Sequence, residues 1–138
     1  MEKPRIVETY DGCFVCGKKN PGGLRLSFQI DRERQTMKTT FVAGPVFQGY
    51  DGIVHGGILS TLLDEVMAKL SYELGYHTVT GSLEIKFRKP APILEPLSVC
   101  GEITEAKARI VKAKANIARE DGTILATGTS VLVRQSGS

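Results

Sequence analysis

The residues with the most chemical potential in this sequence lie close together: His55-Gly56-Gly57, then Asp64 nine positions after the histidine. The glycines open an amphipathic segment whose apolar residues recur at helical spacing: Leu59, Leu62, Leu63, Val66, Met67 and Leu70. A helix start carries unpaired backbone N–H groups and partial positive charge. Glycine lets a ligand approach those donors closely. A carboxylate two turns further on can then act on whatever the donors polarise. Plainer readings exist for each residue. The glycines can form a tight loop-to-helix turn, His55 can anchor the loop, and Asp64 can be a surface or capping carboxylate. Two glycines at a helix entrance, however, stabilise it less than an N-cap Ser or Asp does, which favours a ligand as their reason.

The helix is expected over about residues 57–73, with Gly75 as its C-cap. At 100° per residue, Leu59, Leu62, Leu63, Val66 and Leu70 share one arc that faces a sheet. The arc around Asp64 holds Ser60, Thr61, Ala68 and Ser71, all small, which suggests close approach by another backbone or a ligand. Glu65 and Lys69 form an i, i+4 pair on a flank read as solvated.

Strand-like alternation surrounds this helix. Leu24, Leu26, Phe28 and Ile30 alternate with polar residues, and Thr36–Val42 follows as the second arm of a hairpin. Residues 44–57 are glycine-rich and read as a loop. Further alternations cover Leu83–Arg88, Leu97–Ile103, Val111–Ile117 and Thr123–Val133, with Asp121-Gly122 as a two-residue hairpin turn. About six strands and one long helix imply an α+β fold whose sheet curls round the helix, with its far side meeting another subunit. Residues 1–23 read as irregular, 24–134 as the domain and 135–138 as a tail.

At 138 residues and a net charge of +3, the chain reads as one domain with an ordinary core. No basic run interleaved with aromatics argues for nucleic acid. No stretch reaches the ~18 apolar residues of a membrane span. The opening MEKPRIVETY has no apolar signal core, and three cysteines fit a reducing compartment, so a cytoplasmic location is expected.

Val54-His55-Gly56-Gly57, Asp64, and the strand from Thr80 to Phe87 running into Arg88-Lys89-Pro90 resemble the hotdog-fold acyl-CoA thioesterases of the phenylacetate-pathway and thioesterase-superfamily type. Cys13-Phe14-Val15-Cys16-Gly17, with Asn20-Pro21 and Gly23-Leu24, resembles an N-terminal feature of one branch of that group. The resemblance implies a hotdog fold and a homodimer with two sites at the dimer interface; further assembly to a homotetramer is expected, with dimer against tetramer left open by the sequence. It implies that the Gly56 N–H, helped by Gly57, is the oxyanion donor, that Asp64 is the nucleophile or general base, and that His55 positions the carbonyl or the loop. Thr80, ten residues before Pro90, matches a hydroxyl position that orients the attacking water, with Ser82 as the second candidate. Relatives carry an amide side chain six residues before the histidine, whereas Gln48 lies seven before it. Arg88 and Lys89 are candidate partners for coenzyme A phosphates, or simply solvated.

The implied reaction is hydrolysis of an acyl-CoA thioester, without a cofactor. The alternative is a non-catalytic acyl-CoA binding module on the same fold. A hotdog hydratase ranks below both, because its usual His and carboxylate spacing is absent. Phe47, Tyr50, Met67, Tyr72 and Tyr76 are candidates to line the acyl pocket. Cys13-x-x-Cys16 is half of a four-ligand zinc site; Cys100 lies far away in sequence and His77 is the only other histidine, so a metal-free turn is expected.

Overall fold

The computed structural model describes residues 5–6 and 11–135, so the expected tail beyond Gln135 and most of the first ten residues lie outside the described part. Among the described residues there are seven strands and one long helix: β1 (Arg5–Ile6), β2 (Gln29–Asp31), β3 (Thr36–Val42), α1 (Gly56–Glu73), β4 (Thr78–Phe87), β5 (Pro96–Ala106), β6 (Ile110–Arg119) and β7 (Ile124–Arg134). All pairings are antiparallel, in the order β1-β2-β3-β5-β6-β7-β4. The sheet curls round α1, which is the expected hotdog arrangement.

Helix α1 starts one residue earlier than the periodicity suggests. Leu59, Leu62, Leu63, Val66, Met67 and Leu70 are all buried against the sheet. Each such side chain contributes about 1.5–3 kcal/mol, whereas a cap contributes about 0.5–2 kcal/mol. Packing therefore sets where the helix lies, and its entrance is free to carry glycines. The C-terminus closes as a Schellman motif: Gly75 has φ +89°, its N–H bonds Tyr72 O at 3.0 Å, and the Tyr76 N–H bonds Ser71 O at 2.9 Å.

Three expectations need correction. The first hairpin arm is only Gln29–Asp31; Arg25 sits at φ +54°, and the Leu24 and Leu26 amides bond Phe14 O and Val15 O instead of a ladder. The segment read as irregular contains the short strand β1. The β6–β7 turn is one residue longer than expected: Gly122 N–H bonds Arg119 O and Arg119 N–H bonds Thr123 O, each at 2.9 Å, so Glu120, Asp121 and Gly122 all lie in it.

Strand β4 is an edge of the sheet. Ten residues long, it leaves Val79, Leu83 and Phe87 at 54%, 37% and 56% exposure. A long apolar edge is a template for pairing with another chain.

Candidate active site

The loop before α1 is closed by its own polar groups. Gly49 N–H bonds Ile53 O at 2.8 Å, and Gln48 Oε1 accepts from Gly52 N–H at 3.0 Å. Gln48 is thus held in the loop. His55 is the N-cap of α1: its Nδ1 accepts the Gly57 N–H at 2.9 Å. The Gly57 N–H, expected to help Gly56, is thus engaged by His55 in this structure. The Gly56 N–H has no hydrogen-bond partner among the described residues.

Gly56 opens onto a cavity of about 360 Å³ lined by Tyr50, Ile53, Leu59, Phe87, Arg88 and Lys89, among others. A Cβ on Gly56 would stand 3.3 Å from the Phe87 ring, so the glycine leaves just enough room for that ring beside the helix entrance. Phe87 was not singled out from the sequence, although its place in the β4 alternation put it on the same face as Leu83 and Ile85. Arg88 and Lys89 lie exposed at the end of β4, their amides bonded to Leu125 O. Of the five proposed acyl-pocket residues, only Tyr50 lines this cavity. Met67 is fully buried in the core, Phe47 packs edge-on against Phe41, Tyr72 stacks on His77, and the Tyr76 hydroxyl accepts from Gln35.

Two turns along the helix, Asp64 Oδ1 accepts a hydrogen bond from Thr80 Oγ1 at 2.9 Å. Thr80 and Ser82, two apart in a strand, would ordinarily share a face. A bulge at Gly81 separates them: Thr80 opposes Leu132, whereas Ser82 opposes Val131. Leu132 is buried in the core, and Ser82 joins Glu84, Lys112 and Thr129 around a separate depression. Gly81 is required there, since a Cβ would lie 2.7 Å from Val133 Cγ2 and 3.2 Å from Val131 O. The structure thus brings Thr80 to Asp64 and takes Ser82 away.

The neighbouring carboxylate has a different environment. Lys69 is 5% exposed and Glu65 partly buried, so the flank read as solvated is in fact covered. What covers it includes the Cys13–Gly17 turn: Cys13 Sγ donates to Glu65 Oε2 at 3.6 Å, and Lys69 Nζ donates to Cys16 Sγ at 3.7 Å. Burial pushes the Glu65 carboxyl above its ordinary range, opposed by Lys69 and the two thiols.

The thioesterase superfamily pattern matches residues 51–126, more than half of the chain, and that match takes in Gly56, Asp64 and Thr80. The chain belongs to this superfamily. Bovine (Bos taurus) acyl-coenzyme A thioesterase THEM4 is similar, at 24% identity over 115 residues, covering 81% of this chain and 47% of that protein. The chain thus spans about half the length of the curated relatives it matches. Among solved structures, the thioesterase superfamily protein RHA08564 superposes with a TM-score of 0.84 at 24% identity, covering 88% of this chain and 60% of that one. The Streptococcus mutans protein smu.793, solved bound to acetyl CoA, gives a TM-score of 0.71 at 19% identity, covering 74% of this chain and 82% of that one. No helix among the described residues is long and apolar enough to cross a membrane.

Proposed function

We propose that the chain hydrolyses an acyl-CoA thioester to the free acid and coenzyme A, in a site shared by two copies. The Thr80–Asp64 hydrogen bond carries this reading, because it fixes a carboxylate on the helix whose first N–H is open. Asp64 lies eight residues beyond Gly56, which at the helical rise is about 12 Å. Reacting atoms must come within ~3–3.5 Å, so one chain's Asp64 cannot attack a carbonyl held at the same chain's Gly56. A second copy, paired along the apolar β4 edge, supplies the missing partner.

In that site the Gly56 N–H donates to the thioester carbonyl oxygen and stabilises the charge that develops on it. One such donor is worth about 2.7–4 kcal/mol. His55 keeps the helix entrance in place through Gly57. Asp64 of the other copy either attacks the carbonyl carbon, forming an anhydride that water then hydrolyses, or takes a proton from an attacking water. The thiolate of coenzyme A leaves in both routes. Thr80 acts through Asp64: its hydroxyl engages Oδ1 and leaves Oδ2 to react. Arg88 and Lys89 line the Gly56 cavity, which supports assigning them to the phosphates of coenzyme A.

The test is release of free thiol from a panel of acyl-CoAs by the wild type and Asp64→Asn. Turnover by the wild type and its loss in the variant support the proposal. Equal rates overturn the role of Asp64, and tight CoA-ester binding without turnover would make the chain a binding module instead.

A further inference from the structure

The Cys13-x-x-Cys16 turn gains in three dimensions a partner that its spacing does not show. Cys13 Sγ, Cys16 Sγ and a Glu65 carboxylate oxygen all lie within 4.8 Å of one another. We propose that these three groups bind a zinc ion that ties the N-terminal segment to α1, one residue from Asp64.

Four features carry this. The first is spacing. With Zn–S near 2.3 Å and Zn–O near 2.0 Å, tetrahedral geometry puts a ligating sulfur and oxygen about 3.5 Å apart; Cys13 Sγ and Glu65 Oε2 are 3.6 Å apart. The ion therefore enters with small side-chain adjustments. The second is the turn itself. Gly17 N–H bonds Cys13 O at 2.8 Å, and the Cys16 N–H points at Cys13 Sγ at 3.4 Å. A backbone donor aimed at sulfur holds that sulfur in place as a ligand. A Cβ on Gly17 would stand 2.4 Å from Asp11 O and 2.5 Å from Cys13 N, so the tight turn requires glycine.

The third is charge. Two thiolates and a carboxylate around a divalent ion leave one net negative charge. The Lys69 ammonium, buried and 3.7 Å from Cys16 Sγ, neutralises it. The fourth is ligand chemistry: thiolates with a carboxylate suit zinc better than the all-oxygen cations magnesium or calcium. A water completes four-coordination, and the thiol protons leave as the ion binds. The ion is placed to hold the helix that carries Asp64 and has no part in thioester cleavage.

The experiment uses the full chain, purified from zinc-supplemented medium without chelators and then dialysed. One zinc per chain is expected, with two of the three thiols protected from an aromatic disulfide reagent until a chelator is added. Cys100→Ser keeps the metal, Cys13→Ser and Cys16→Ser lose it, and Glu65→Gln loosens it by at least the ~10–100-fold that loss of an outer-shell partner costs. Cobalt(II) in place of zinc gives a thiolate-to-metal charge-transfer band in the wild type, so the proposal stays testable if a cysteine variant does not fold. Freely reactive thiols with no zinc after dialysis would overturn it. So would a Cys13–Cys16 disulfide, or a Glu65→Gln chain that holds zinc as tightly as the wild type.

Discussion

Asp64 and Glu65 are consecutive carboxylates on one helix, yet the fold gives them different surroundings. Asp64 faces β4, an edge strand with exposed apolar side chains, and the Thr80 hydroxyl holds it. Glu65 faces the Cys13–Gly17 turn and sits among two thiols and a buried lysine. One turn of helix thus serves two neighbourhoods, the first at the exposed edge of the sheet, the second closed by the chain's own N-terminal segment. The 100° rotation between adjacent residues accomplishes this. It also means that the character of a helical carboxylate cannot be judged from its sequence neighbours.

The sharpest way to break the contrast is Asp64→Asn, which keeps the shape and removes the charge. Thiol release should fall about 10²–10⁴-fold, with helical circular dichroism unchanged; a loss of helical signal would instead mean that Asp64 is structural. Thr80→Val should lower kcat about tenfold, the equivalent of one lost hydrogen bond of ~1.4 kcal/mol, while KM moves little. Thr80→Ser should restore most of it, which a merely space-filling role for Thr80 would not predict. If the proposed site is shared by two chains, Leu83→Arg on the exposed edge should weaken self-association in sedimentation velocity, and activity should become steeply dependent on protein concentration.

The smallest effect separates the Glu65 side. Its carboxyl is raised in the folded state, so the metal-free native chain holds a proton that the unfolded chain has released. Between the ordinary value of 4.5 and the raised one, stability therefore falls as pH rises. In chelator-treated protein, the thermal midpoint of the wild type relative to Glu65→Gln should decline across that window as pH increases. Zinc should flatten the decline, since the bound carboxylate no longer takes up a proton. A wild type that gains stability relative to the variant as pH rises would refute the burial argument.

Much of this was legible in the sequence because it depends on short-range periodicity. Leu59 to Leu70 mark a helix and its buried face, and the alternations mark β3 to β7. The strand from Leu24 failed because its amides bond to residues ten or more positions earlier, a choice that local pattern does not encode. Thr80 and Ser82 looked nearly interchangeable because a bulge changes face by one residue without altering composition. Phe87, by contrast, was recoverable from the alternation of β4.

By itself, the sequence determined which groups share a helix and how far apart they stand: Gly56 at its entrance, Asp64 about 12 Å along, Glu65 a third of a turn round. Only the tertiary structure decided what each of them meets. A helix repeat sets angles and rises within one element. Which strand, turn or neighbouring chain fills the space beside a given angle depends on how distant segments pack, and here packing put Thr80 against one carboxylate and two cysteines against the next.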